Sequence, residues 1–148
     1  MPSTVDKMIL LKETEIFAQV PNATLMQVAA ILQPITLAPG ESLFAKGDAG
    51  TAMFLIVSGS IRIYDGEHTL TTLGKHEVLG EMALLDGETR SASATAVEET
   101  LLLRLDQEPF LQLLEEEVGM ARGILKVLVQ RLRARSAELA NLPQAHTP

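Results

Sequence analysis

Hydrophobic and polar positions change their period twice along the 148-residue chain. In the first stretch Val5, Met8, Ile9 and Lys12 fall at helical spacing behind Ser3 and Asp6, a serine and an acid three residues apart that read as a capping box. A short helix is expected over 3–11. Val20-Pro21-Asn22 then marks a turn into a second helix ending near Leu32, with Leu25, Val28, Ala29 and Leu32 as its apolar stripe. From Gln33 to Asp106 the pattern shortens to strands punctuated by glycine. Pro39-Gly40 and Ser58-Gly59 are turns, Lys46 to Gly50 is a loop, and Asp65-Gly66 is a hairpin signal between 61–64 and 69–73. Strands this short and evenly spaced predict an antiparallel β-roll or jelly roll.

After a last strand over Leu101 to Leu105, helical spacing returns. Asp106 is placed to cap a helix that carries Pro109 in its first turn and Phe110, Leu113 and Leu114 on its apolar side. Glu115-Glu116-Glu117 with Gly119 marks a break, and a final helix is expected from about Val118 to Leu139. Along it Ala121, Leu125, Leu128, Leu132, Arg135, Leu139 and Leu142 recur in alternating steps of four and three, a heptad-like seam interrupted by Arg135. The seam suits pairing of two subunits or plain core packing. Residues 143–148 read as a tail.

One stretch, Gly80 to Ala94, carries the chemistry. Gly80 ends a β-like run and Met82 to Leu85 favours helix, so the backbone bends into one helical turn whose first amides lack internal partners and suit an anion. Arg90 returns nine residues after Glu81 and brings a planar fork of donors that stays charged. Glu81 would repel a phosphate but accepts hydrogen bonds from a ribose hydroxyl. Amides, an arginine and one acid together read as a site for sugar plus phosphate. The competing structural reading is an ion pair between Glu81 and Arg90 that merely ties the stretch together.

At these residues the chain resembles the cyclic nucleotide-binding domain family, which includes the sensor half of the catabolite activator protein and the regulatory subunits of protein kinase A. Gly80-Glu81-Met82-Ala83-Leu84 with Arg90-Ser91-Ala92 matches that family's phosphate-binding cassette, and 39–48 and 53–61 resemble its barrel. The resemblance implies an α+β, mainly β fold over 1–142: N-terminal helices in 3–32, a β-roll in 33–105 with the cassette at 80–94, and two C-terminal helices in 106–142. It implies ligand binding by Gly80, Glu81, Met82, Ala83, Leu84, Arg90, Ser91 and Ala92. The cyclic phosphate would lie on Arg90 and the amides near Ala83 and Leu84, and Glu81 would hold the ribose 2′-hydroxyl.

Cyclic AMP is the preferred ligand over cyclic GMP, although Ser91 follows the cassette arginine in binders of either. Leu128, Arg131 and Leu132 are candidates to cover the base. In the family, helices outside the roll move when ligand binds, so Leu84 and Leu85 are expected to repack against the helices after Asp106. The last helix is expected either to pair two copies or to act on a fused or partner effector. A member of the fold that senses another ligand, or none, and serves as a dimerisation module is the alternative.

Composition narrows the rest. The chain is 47% hydrophobic with four Phe, one Tyr and no Trp, so the core is mainly aliphatic. The formal charge of −7 excludes nucleic-acid binding through a general basic surface, and a phosphate site must work through local donors. The basic residues Arg122, Lys126, Arg131, Arg133 and Arg135 read as a solvated helix face, with one of them able to reach the purine or an acidic partner. With no cysteine there is no disulfide or thiolate chemistry, and a cytoplasmic setting is expected. His68, His76 and His146 lie at no ligand spacing, so no metal or cofactor is expected, and Ser91 has no base beside it, so no enzyme is expected. No stretch reads as a membrane span, a signal peptide or a helix-turn-helix segment.

Overall fold

The computed structural model describes residues 2–141; Leu142 of the seam, His146 and the 143–148 tail lie outside the described residues. Helix α1 (Thr4–Glu13) begins at the expected capping box, Ser3 Oγ accepting from the Asp6 amide at 3.1 Å and Asp6 Oδ2 from the Ser3 amide at 3.0 Å. Its buried face is Leu10 and Leu11, whereas Val5 and Ile9 of the expected stripe are exposed. Four consecutive apolar residues, Met8 to Leu11, cover more than one face, so spacing alone did not choose between them. A 3₁₀ turn (Glu15–Phe17) leads to α2 (Asn22–Ile31), where Leu25, Val28 and Ala29, with Leu32 just beyond, are buried as expected.

Eight strands follow: β1 (Gln33–Leu37), β2 (Ser42–Phe44), β3 (Ala52–Ser58), β4 (Ile61–Asp65), β5 (His68–Leu73), β6 (Val78–Leu79), β7 (Ser93–Ala96) and β8 (Thr100–Asp106). They form two four-stranded antiparallel sheets, ordered β1-β8-β3-β6 and β2-β7-β4-β5. This is the expected β-roll. Strand β3 explains the two-layer core. Its run Ala52-Met53-Phe54-Leu55-Ile56 is buried on both faces: Met53 and Leu55 face a helical core with Phe17, Leu103 and Phe110, and Phe54 and Ile56 face the interior of the roll with Ile61, Ala94 and Leu102.

Helix α3 (Ala83–Asp86) lies between β6 and β7, and α4 (Gln107–Glu116) and α5 (Val118–Ala140) complete the chain. Asp106 stands at the N-cap of α4 without a capping hydrogen bond, because its carboxylate pairs with Arg104 at 3.0 Å. Phe110 is fully buried, edge-on to Phe17 with centroids 6.0 Å apart, and Leu113 and Leu114 pack beside it. Helix α5 buries Met120, Gly123, Ile124 and Val127 and leaves Leu125, Leu132 and Leu139 of the seam facing outward. Core packing is therefore not what those three leucines do. Among the described residues no helix is long and apolar enough to cross a membrane.

Candidate functional site

Strand β6 delivers the chain to Gly80, whose φ of 72° only glycine adopts without strain. A Cβ there would collide with Nη1 of Arg90 and lie 3.1 Å from the Ala52 carbonyl oxygen. The missing side chain thus makes room for the guanidinium itself. Helix α3 closes at Gly87, φ 65°, whose amide donates to the Ala83 carbonyl at 3.0 Å. The returning limb is fastened to the 47–50 loop: Arg90 donates its amide to Asp48 at 2.8 Å and accepts from Gly47 at 2.9 Å, and Gly50 donates to Glu88 at 3.1 Å.

Arg90 is 9% exposed. Its guanidinium donates through Nη2 to the Ala52 carbonyl, stacks 4.3 Å from the Phe44 ring centroid and stands 5.8 Å from that of Phe54. Nε is buried without an acceptor, and none of the ion pairs among the described residues involves Arg90. Burial pulls its pKa below the ordinary guanidinium value, and the negative charge of Asp48 offsets this in part. A buried cation without a counter-ion is costly. This one lines a cavity of about 280 Å³ with Phe44, Ile63, Thr71, Gly80, Ser91 and Ala92. A second cavity, about 350 Å³, shares Gly80, Arg90 and Ser91 and adds Glu81, Met82 and Ala83.

Glu81 does not pair with Arg90. Its Oε1 accepts from Arg131 Nη2 of α5 at 3.0 Å, and its Oε2 is buried with no partner among the described residues. Arg131 also donates Nε to Glu15 at 2.6 Å and Nη1 to Met82 Sδ at 3.0 Å. The expected amides at Ala83 and Leu84 are engaged within the turn, donating to the Gly80 and Glu81 carbonyls at 3.1 and 3.3 Å. Leu84 lines neither cavity: fully buried, it points into the helical core with Phe110, Met120 and Ile124. Gln107, the first residue of α4, donates Nε2 to the carbonyls of Ala83 and Leu84 at 3.1 and 3.3 Å.

Seven of the eight expected residues therefore surround the two adjoining cavities. No spacing in the chain announced Phe44 and Phe54 around Arg90, Gln107 on the cassette carbonyls, or Glu15 on Arg131. Arg131 was expected as a candidate to cover the base or as one basic residue of a solvated face, and its contacts to Glu15, Glu81 and Met82 were not foreseen.

Residues 34–117 match the model of the cyclic nucleotide-binding domain. The chain belongs to the cyclic nucleotide-binding domain family. Its function class is accordingly that of a cyclic nucleotide-binding regulatory domain. A similar curated protein is the cyclic AMP receptor protein of Thermus thermophilus, 42% identical over 105 residues, which cover 68% of this chain and 49% of that one. Another is a CRP-like cAMP-activated global transcriptional regulator of Mycobacterium tuberculosis, 29% identical over 90% of this chain and 62% of its own length. The chain thus spans about half to three-fifths of these relatives. Among solved structures, the N-terminal domain of a transcriptional regulator from Streptomyces coelicolor A3(2) superposes with a TM-score of 0.81 at 26% identity, covering 92% of this chain and 98% of that one.

Proposed function

We propose that this cyclic nucleotide-binding domain is a cyclic AMP sensor whose ligand phosphate is held by Arg90 and whose occupancy is reported through α4 and α5. The observation that carries this reading is the buried Arg90 guanidinium, which faces a cavity and makes no ion pair among the described residues. A cyclic phosphate supplies one negative charge and acceptor oxygens for a planar donor fork. Gly80, Ser91 and Ala92 frame that position, and Glu81, Met82 and Ala83 line the adjoining space for the sugar. The Glu81 carboxylate, with one oxygen unpartnered, suits a ribose hydroxyl. Cyclic AMP is preferred over cyclic GMP because the two receptor relatives are named for cyclic AMP; cGMP-dependent kinases also match, at 30% identity in one case.

The helices before Gln33, the roll and the helices after Asp106 act as one unit in this reading. Movement of α3 would reach α4 through Gln107 and the Leu84–Phe110 packing, and α5 through Glu81 and Arg131. A binding event biases those helices only if ligand favours one arrangement of them. What receives the signal is either a second copy or a fused or partner effector. The second copy is favoured by Val118, Leu125, Val129, Leu132 and Leu139, which form an outward apolar stripe on α5.

Thermal melting with cyclic AMP, cyclic GMP and cyclic di-GMP tests the proposal. Ligand at 100 times its Kd adds about 2.7 kcal/mol, which for a domain of this size raises Tm by roughly 5–10 °C. Cyclic AMP should give the largest shift. No shift with any of the three at millimolar concentration contradicts the reading.

A further inference from the structure

The guanidinium of Arg131 spends all three nitrogens on fixed partners: Nε on Glu15, Nη2 on Glu81 and Nη1 on Met82. The Glu15 contact, at 2.6 Å, is the shortest of them, and it ties α5 to the 3₁₀ turn near the N-terminus. Glu81 in turn gives Oε1 to Arg131 and keeps Oε2 buried and unpartnered. A buried carboxylate oxygen without a donor is unfavourable. The pair therefore divides the work of one carboxylate: one oxygen sets its orientation and the other is left for a hydroxyl donor.

Arg131 can orient Glu81 only if it is itself held. A free arginine side chain has several rotatable bonds and substantial rotamer entropy. Glu15 supplies the hold by accepting from Nε, the nitrogen that fixes the plane of the guanidinium. Met82 Sδ is a weak acceptor and does not substitute for it.

We infer that Glu15, 66 positions before Glu81 in sequence, is a positioning residue for recognition of the ligand's ribose 2′-hydroxyl, acting through Arg131 on Glu81. This rests on the proposed reading of Glu81 as the ribose acceptor. It assigns Glu15 a role in discriminating ligands that differ at the 2′ position, while the phosphate contact at Arg90 stays as it is. The side chain of Glu15 is 58% exposed, so its removal does not open the core.

The test is calorimetric titration of the chain with cyclic AMP and 2′-deoxy cyclic AMP, comparing wild type, Glu15→Ala and Glu15→Gln. Wild type should prefer cyclic AMP by about tenfold or more, the scale of a hydrogen bond to a charged group. Glu15→Ala should reduce that preference to about threefold or less while binding the 2′-deoxy ligand within about twofold of wild type, since only the hydrogen bond to the charged Glu81 is disturbed. Glu15→Gln, which keeps a neutral acceptor, should recover part of the preference. Undiminished preference in Glu15→Ala overturns the inference, and so does an equal weakening of both ligands, the mark of a merely structural role. If wild type binds cyclic AMP without distinguishing the 2′-deoxy form, Glu81 is not the ribose acceptor and the inference falls with that assignment. If wild type binds neither ligand, the proposed function itself fails.

Discussion

Arg131 of the last helix donates to Glu81 of the cassette at 3.0 Å, so the acid proposed as the ribose acceptor is fastened to the helix proposed to report occupancy. The cassette's other tether is Gln107, which binds the carbonyls of Ala83 and Leu84 from the start of α4. Two helices thus hold the same short turn at separate points.

Gly80→Ala should damage both fold and site. A residue with a side chain is strained at φ 72°, and the added Cβ meets Nη1 of Arg90. The left-handed conformation alone costs about 1–2 kcal/mol. A fall in Tm of roughly 3–8 °C is expected, with weaker cyclic AMP binding in titration. Unchanged stability would mean that Arg90 is not seated against Gly80.

Leu84→Ala should cost about 2–5 kcal/mol, the range for truncating a buried leucine. Leu84 is fully buried among Phe110, Met120 and Ile124. Chemical denaturation measures the loss. A cost below about 1 kcal/mol would show that α3 does not pack on the helical core.

Acid stability should depend on Glu15. Its hydrogen bond from Arg131 holds the carboxyl below its ordinary value of 4.5. A group whose folded pKa is depressed contributes its stabilisation fully above the unfolded value and loses it as pH falls through the folded one. Wild type should therefore lose this contribution on acidification below about pH 4.5, and Glu15→Ala should lack it already at neutral pH. Denaturation midpoints measured from pH 7 to pH 3 check the sign: the gap between the two proteins should narrow toward acid, and a widening gap would contradict the assignment.

Leu125→Glu with Leu132→Glu should separate the roles of α5. Both leucines are exposed in the single chain, at 60% and 68%, so the doubly substituted chain should still fold. If the apolar stripe pairs two copies, light scattering should show a wild-type dimer and a substituted monomer. A wild-type monomer, with and without cyclic AMP, would leave the stripe to a partner effector.

Much of this was legible in the chain because it depends on local chemistry. The Ser3–Asp6 capping box, the Asp65-Gly66 hairpin and the break before Val118 are each set by a few adjacent residues, and the structure has all three. Gly80 and Arg90 were legible for the same reason, as a glycine and an arginine on either side of one turn. Other features depend on long-range packing. The buried face of α1 was misread because Met8 to Leu11 are apolar all round; the cap at Asp106 was lost to a local competitor, Arg104, two residues back on the same face of β8.

The site shows the same division. Phe44 and Phe54 come to Arg90 from two different sheets, and Glu15 comes to Arg131 across 116 positions of chain. No local motif encodes such meetings. Gly80 takes part in the same meeting, since the space left by its missing side chain is filled by the Arg90 guanidinium.

The most direct test of the central claim is cyclic AMP titration of Arg90→Met, paired with its unfolding free energy without ligand. Methionine fills much of the space between Phe44 and Phe54 without charge, and replacing buried ionic groups by apolar ones of similar size is often neutral or stabilising by about 1–4 kcal/mol. The account predicts unchanged or increased stability together with a loss of about 2–5 kcal/mol in cyclic AMP binding, the cost of removing one partner of a buried charge pair. Normal binding by Arg90→Met would contradict it.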